Sequence, residues 1–412
     1  MNHTVSYYES IYAKVVLHKG INLRVGQKLI VKTSPMNYRF AQIIAKEAYT
    51  IGADYVYIDL QDYALDRERM MHQNDEQLSY VPLFYQNMEQ QFLAEDWAYI
   101  RIDNTEDRSE LASVPTEKIT VYQKAIRKSS AVFTTSMMRH EHAWCVICAP
   151  GPVWAKQVLG PEANVEDLYK VLIPILRLDE PDPLTAWEEH AEKLHMLSEE
   201  LTDRDLKEIH ISDSKTGTDI TIGLRKEARW IGGPKNLPNG TPYFPNIPTE
   251  EIFTVPDRLT ANGVVYTTKP LTIFGSRVDG CSFTFKEGKV VAYSAAEGED
   301  ILAQFLKTDD GASFLGELAL VDKNTPIAKS HKIFSSILYD ENAACRIALG
   351  AGYPACLKNG SELNSEEELQ KAGCNTSMLH TDFMIGSPTT EITAMTYGGE
   401  KVVIMHEGSL LF

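Results

Sequence analysis

The chain has 412 residues, 43% of them hydrophobic and 24% charged, with a formal net charge of −17. Such a composition belongs to a globular protein with room for two domains, and it excludes disorder, collagen or coiled coil as the main architecture. The excess of carboxylates leaves no electrostatic footprint for nucleic acid or for an anionic membrane surface.

The N-terminal residues, MNHTVS, lack a basic stretch followed by an apolar one, and no apolar run reaches bilayer-spanning length. The six cysteines are scattered over a long chain rather than arranged as a disulfide framework. The expectation is a cytoplasmic protein.

Taken in order, residues 28–33 (KLIVKT) predict a strand, 37–53 a helix with Phe40, Ile43, Ile44 and Ala48 on one face, and 55–60 (YVYIDL) a second strand. This β-α-β unit predicts a parallel sheet with a right-handed crossover. Residues 143–149 (AWCVICA) predict a buried strand, and 165–178 and 184–201 predict amphipathic helices. From about Glu208 the pattern changes to short strands, at 208–212, 219–223, 282–285 and 290–293, separated by turns such as Lys286-Glu287-Gly288. Helices are expected at 298–307 and 342–349, and the end, 402–412, reads as a hairpin. A boundary near 202–206 divides an α/β N-terminal domain with a parallel sheet (1–205) from an α+β, strand-rich C-terminal domain (206–412).

The first strand-to-helix turn, Thr33-Ser34-Pro35-Met36-Asn37, has no glycine, so it does not let a backbone approach a pyrophosphate. Cys145 and Cys148 have CxxC spacing inside an apolar strand, where residues three apart face opposite ways; they read as buried structural cysteines. His140-Glu141-His142 reads as a solvated loop or a satisfied polar cluster rather than a metal site.

Four segments of the second half combine ionisable side chains with local rigidity. In PTEEIFTVP (248–256) two prolines bracket Glu250 and Glu251, of which an extended backbone turns only one toward any one site. GELALV (316–321) sets Glu317 at the head of an apolar run, where a carboxylate needs a cation or donors. In 340–353 (DENAACRIALGAGY), Asp340 is a candidate helix N-cap and Gly350 a helix stop, and Arg346 and Tyr353 would share a helix face. In HTDFMIG (380–386) a strand places His380 and Asp382 on one face, half a site for zinc, manganese or cobalt.

PTEEIFTVP, GELALV, LYDENAAC with IALG, and HTDFMIGS, in this order, resemble the M29 family of metallo-aminopeptidases, the aminopeptidase T, AmpS and PepS type. The resemblance extends to residues 23–60 and 217–224 and covers nearly the whole chain. It implies a cytoplasmic exopeptidase that removes N-terminal residues with divalent metal (zinc, cobalt, manganese or magnesium, one or two per subunit). It also implies a two-domain subunit in a homodimer that encloses the sites in a cavity, with a metal-binding, catalytic C-terminal domain. Carried over by position, the metal ligands are Glu251, Glu317, Tyr353, His380 and Asp382. Glu317, Tyr353 and Arg346 are the candidate catalytic residues, with Glu317 or Glu251 accepting the proton of the attacking water.

One position departs from the family pattern: Arg346 stands where a sixth ligand, a histidine, is expected. Guanidinium carries donors only and stays protonated, so it cannot coordinate a metal. Two divalent ions and Arg346 against Glu251, Glu317 and Asp382 leave a surplus of positive charge, whereas one divalent ion with Arg346 balances the three carboxylates. The expectation is at most one tightly held metal, with Arg346 paired to Glu317 or Asp382. His331, a conceivable substitute ligand, lies between Ser330 and Lys332 and reads as a surface residue. The readings that follow are an aminopeptidase impaired by Arg346, an amidohydrolase with a one-metal site acting on a specialised metabolite, and a non-catalytic homologue.

Overall fold

The computed structural model describes residues 3–103, 105–363 and 365–412. Met1 and Asn2, the first residues of the N-terminal stretch considered above, lie outside them. The chain divides into two compact units, Met1–Glu189 with Pro234–Pro248, and His190–Gly233 with Thr249–Phe412. No helix among the described residues is long and apolar enough to cross a membrane.

In the first unit, four parallel strands, β1 (Lys28–Thr33), β2 (Tyr55–Leu60), β3 (Ala98–Asp103) and β4 (Trp144–Cys148), lie in the order β2-β1-β3-β4. The expected β-α-β unit is there: the helix Tyr38–Ile51 links β1 to β2 and ends at Gly52, whose left-handed φ of 104° caps it. Cys145 and Cys148 are fully buried on β4, and all six cysteines are free thiols. His140 bonds the Tyr243 hydroxyl (2.6 Å) and His142 bonds Asp96 (2.9 Å), so the two imidazoles have separate partners.

The second unit holds two large antiparallel sheets beside a two-stranded hairpin, Leu271–Ile273 with Ser276–Val278. The larger comprises β5 (Leu206–Asp213), β6 (Asp219–Gly223), β9 (Asn262–Tyr266), β10 (Ser282–Lys286), β11 (Lys289–Ser294), β15 (Thr390–Thr396), β16 (Lys401–His406) and β17 (Ser409–Leu410), in the order β11-β10-β9-β6-β5-β15-β16-β17. The smaller comprises β7 (Ile231–Gly232), β8 (Ile252–Thr254), β12 (Leu315–Leu320), β13 (Arg346–Gly350) and β14 (His380–Met384), in the order β14-β13-β12-β8-β7. Ile209, Ile211, Ile220, Ile222 and Phe283 from the larger sheet and Leu318, Leu320, Ile347, Leu349 and Phe383 from the smaller share one buried core. That sandwich leaves the opposite face of the smaller sheet for other chemistry.

The helix expected at 298–307 is found as Glu299–Leu306. The one expected at 342–349 is not: a short 3-10 turn, Glu341–Ala343, leads into strand β13. Asp340 caps no helix there; it accepts the backbone N–H groups of Phe334 (2.7 Å) and Ser336 (3.0 Å). Ala and Leu favour helix, but Ile347 and Leu349 complete the core while Arg346, Ala348 and Gly350 alternate away from it, and that tertiary fit outweighs propensity.

Candidate functional site

Strand register builds the site. Glu317 on β12 and Asp382 on β14 are both register partners of Ala348 on β13, so the three share a row and a face. Arg346 is the partner of Ala319 and Met384, and His380 the partner of Gly350, on the same face. Ala319, Ala348 and Gly350 form a floor of small residues that leaves room for the ionisable side chains above it. Gly350 has φ 107°, and a Cβ there would stand 2.1 Å from the Leu379 carbonyl oxygen. Gly316 lies at a register irregularity just before Glu317, and a Cβ on it would stand 2.3 Å from the Ala351 carbonyl oxygen.

Arg346 occupies the centre of this face and is only 3% exposed. Each guanidinium nitrogen has its own carboxylate. Nε donates to Asp382 Oδ1 at 2.8 Å, Nη2 donates to Glu317 Oε1 at 2.7 Å, and Nη1 is ion-paired with Glu251. Nη1 also donates to the backbone carbonyl of Glu341 at 3.3 Å. Burial alone would push the Asp382 carboxyl up, but the Arg346 charge and the His380 contact hold it well below the usual carboxylate range.

His380 is bonded through Nδ1 to the Ala351 carbonyl oxygen (2.7 Å), and its Nε2 stands 3.6 Å from Asp382 and 3.9 Å from Glu317. Burial works to lower its pKa, yet the Asp382 carboxylate outweighs burial and the net direction is upward. Tyr353 lies beyond the end of β13, not on a helix face with Arg346. Its ring packs edge-on against His380, with centroids 5.0 Å apart, and against Phe253 at 5.6 Å. Burial and the nearby carboxylates Glu317 and Asp382 push its phenol up, so it stays protonated.

The structure thus brings Glu251, Glu317, Arg346, Tyr353, His380 and Asp382 together. Glu250 and Glu251 point apart, as extended backbone requires: Glu250 meets His190 at 3.6 Å. His331 is exposed at the end of a short helix. Sequence reasoning missed Glu341, whose carboxyl burial pushes well above its ordinary value, with Asp382 and Asp340 adding to the shift. It also missed Asn342, which accepts the Glu250 backbone N–H at 2.7 Å. The only signal for either was their place in the DEN triplet beside Arg346.

The family model described as thermophilic metalloprotease (M29) matches residues 9–410. The chain belongs to the M29 family of metalloproteases. This M29 chain is 35% identical to aminopeptidase 2 of Geobacillus stearothermophilus over 97% of each chain, and 33% identical to aminopeptidase PepS of Streptococcus thermophilus over 96% of each. Among solved structures, wild-type AmpT from Thermus thermophilus superposes with a TM-score of 0.91 at 30% identity, covering 99% of this chain and 100% of that one.

A metalloprotease family implies a divalent metal, and the M29 residues here can be tested for one. Among the described residues no three His, Cys, Asp or Glu side chains form a group that could hold a metal ion. The three carboxylates available are turned onto Arg346 instead. A pair of divalent ions does not fit this arrangement, because a fixed guanidinium stands among the oxygens that would bind them.

Proposed function

We propose that the chain removes N-terminal residues from peptides, in a site where Arg346 takes the place of one divalent ion. The convergence of Glu251, Glu317, Tyr353, His380 and Asp382 on one sheet face supports this, together with relatives that match nearly end to end and are named aminopeptidases. Arg346 offsets one of three carboxylate charges, and the remainder suits either one divalent ion or the ammonium group of a peptide N-terminus. Glu251, Glu317, Tyr353, His380 and Asp382 are the candidate ligand set for at most one tightly held ion, which would have to draw the three carboxylates off Arg346. His380 commits Nδ1 to Ala351, which leaves Nε2 for a ligand and fixes the ring.

In this reading the chain's own residues divide the work. Arg346 holds Glu251, Glu317 and Asp382 in place. Glu317 or Glu251 accepts the proton of the attacking water, and the protonated Tyr353 donates to the developing oxyanion. Without a second ion the rate is reduced relative to the family. Residues 206–412 carry the chemistry, 1–205 serve as scaffold and dimer surface, and the protein works as a cytoplasmic homodimer. One observation favours a narrower substrate, a small amide: the deeply buried, triply paired Arg346 is a fixed change of site chemistry, not a surface substitution.

The test is release of the N-terminal residue from short peptides and amino-acid anilides, with N-acetylated peptides as controls. Slow release from free N-termini and none from acetylated ones is expected. Release of internal residues, or no release by either this chain or Arg346→His, would overturn the proposal.

A further inference from the structure

Two of the three carboxylates on Arg346 are carried by regular strand. Glu317 on β12 and Asp382 on β14 both stand opposite Ala348 of β13, and the ladder fixes their backbone. Glu251 lacks that support. It stands one residue before β8, whose pairing with β12 begins at Ile252, and Thr249, Glu250 and Glu251 lie outside any strand. Holding its carboxylate on a guanidinium therefore requires the backbone to be ordered by other bonds.

Buried side chains supply them. Asn342, 1% exposed, accepts the Glu250 backbone N–H through Oδ1 at 2.7 Å and donates through Nδ2 to the Leu338 carbonyl at 3.0 Å. A backbone N–H only donates and a carbonyl only accepts, so these partners fix the orientation of the amide and use both of its halves. His190 secures the preceding residue, its Nε2 donating to the Thr249 carbonyl at 2.7 Å.

Asn342 also belongs to the turn Glu341–Ala343, and the Glu341 carbonyl accepts from Arg346 Nη1 at 3.3 Å. The same Nη1 is ion-paired with Glu251. The bonds close a ring that runs from Arg346 to Glu251, along the chain to Glu250, across the Asn342 amide, along the chain to Glu341 and back to Arg346. One amide thus ties together the two acceptors of one guanidinium nitrogen. Glu317 and Asp382 meet Nη2 and Nε instead and stand outside the ring.

We propose that Asn342 is a positioning residue: it sets the Glu251 carboxylate against Arg346 and, being buried, acts through that carboxylate rather than on substrate. An apolar residue at 342 would leave the buried Glu250 N–H without its acceptor, and an aspartate would lose the donor to Leu338. The kinetic consequence rests on the peptidase reading of the site; the placement of Glu251 does not.

The first arm of the test compares release of the N-terminal residue from short peptides by Asn342→Ala and by Asp213→Asn, a control that loosens the same unit through bonds to Ser387, Thr389 and Thr390. Below the melting temperatures of both, kcat should fall about tenfold or more in Asn342→Ala, with KM within about twofold, because a displaced reacting group costs rate rather than binding. Asp213→Asn should keep its kcat. The second arm needs no activity. Arg346→Met and Glu251→Gln remove the two ends of one ion pair, so their effects on melting temperature depart from additivity. In the Asn342→Ala background that departure should shrink about twofold or more. The departure for Arg346→Met with Asp382→Asn, a pair set by the β13–β14 ladder, should persist. The proposal is overturned by an undiminished kcat in Asn342→Ala, by a rise in KM alone, or by departures that shrink alike or not at all. If the unaltered chain releases no N-terminal residue, the peptidase reading fails and the second arm still decides the placement of Glu251.

Discussion

The Arg346 guanidinium and the Asp382 carboxylate meet at 2.8 Å across adjacent strands, Nε against Oδ1, on the face of the sheet that turns away from the core. The same guanidinium pairs with Glu251 and Glu317, so a single fixed charge organises three carboxylates. Metal occupancy follows from that arrangement. Three carboxylates and Arg346 leave two negative charges, which one divalent ion balances. A second ion would sit beside the guanidinium, at a cost of roughly 4 kcal/mol for each like-charge pair about 4 Å apart at an effective dielectric near 20. Elemental mass spectrometry of protein purified without chelator should find at most one divalent ion per subunit, rising in Arg346→His. Two ions in the unaltered chain would refute the charge argument.

Removal of the guanidinium should be far more costly than its surface counterpart. Arg346→Met leaves Glu251, Glu317 and Asp382 buried beside one another without their counter-charge, and breaking a buried pair in this way costs about 3–5 kcal/mol. Arg277, more than half exposed and paired with Asp279 and Glu297, should cost under about 1 kcal/mol when changed to Met. Added divalent ions should restore part of the melting temperature of Arg346→Met and do nothing for Arg277→Met. Equal melting temperatures for the two variants would contradict the central place given to Arg346.

Much of the framework was legible because β-branched residues and turns mark it. KLIVKT, YVYIDL and DITIG were read at the bounds the strands have, 28–33, 55–60 and 219–223. For 342–349 the cap signals of Asp340 and Gly350 predict a helix, but the small residues of RIALG serve as the floor under the charged cluster, a requirement visible only once β12 and β14 flank it. His380 and Asp382 were placed on one face from their spacing alone, since period two in a strand is a local rule. The grouping of Glu341 with Arg346 depends on a 3-10 turn whose backbone carbonyl meets the guanidinium, and no pattern of residue types encodes that contact.

Acid should loosen the second unit through Asp213. Its carboxylate, 3% exposed, accepts bonds from the hydroxyls of Ser387, Thr389 and Thr390 and from the backbone N–H groups of Lys215 and Thr216. Burial opposes ionisation, but these donors prevail and hold its pKa below the usual value. A depressed carboxyl stabilises the fold above its unfolded pKa of about 3.9, and that contribution disappears as pH falls through the lower folded value. Asp213→Asn should therefore lower the melting temperature at neutral pH, by the equivalent of about 1–3 kcal/mol, and flatten the loss of stability below about pH 4. An unchanged acid limb in Asp213→Asn would show that this carboxylate does not govern it.

Gly350 offers a sharper test of how backbone shape supports the site. Its φ of 107° is a conformation that side-chain-bearing residues avoid, and a Cβ would meet the Leu379 carbonyl at 2.1 Å and the His380 Cα at 3.3 Å, backbone atoms that cannot swing aside. Gly240, with φ 83°, has nothing within 4 Å of the same position. Gly240→Ala therefore pays the left-handed strain alone, about 1–2 kcal/mol. Gly350→Ala adds the displacement of the start of β14, which carries His380 opposite Gly350 and Asp382 opposite Ala348. The melting temperature should fall by at least about 4 °C more in Gly350→Ala than in Gly240→Ala, and only Gly350→Ala should reduce metal content and peptide hydrolysis. Matching losses of stability with activity intact in both would mean that the strand absorbs the clash without moving His380, and that the close approach of β13 to β14 does not set the geometry of the site.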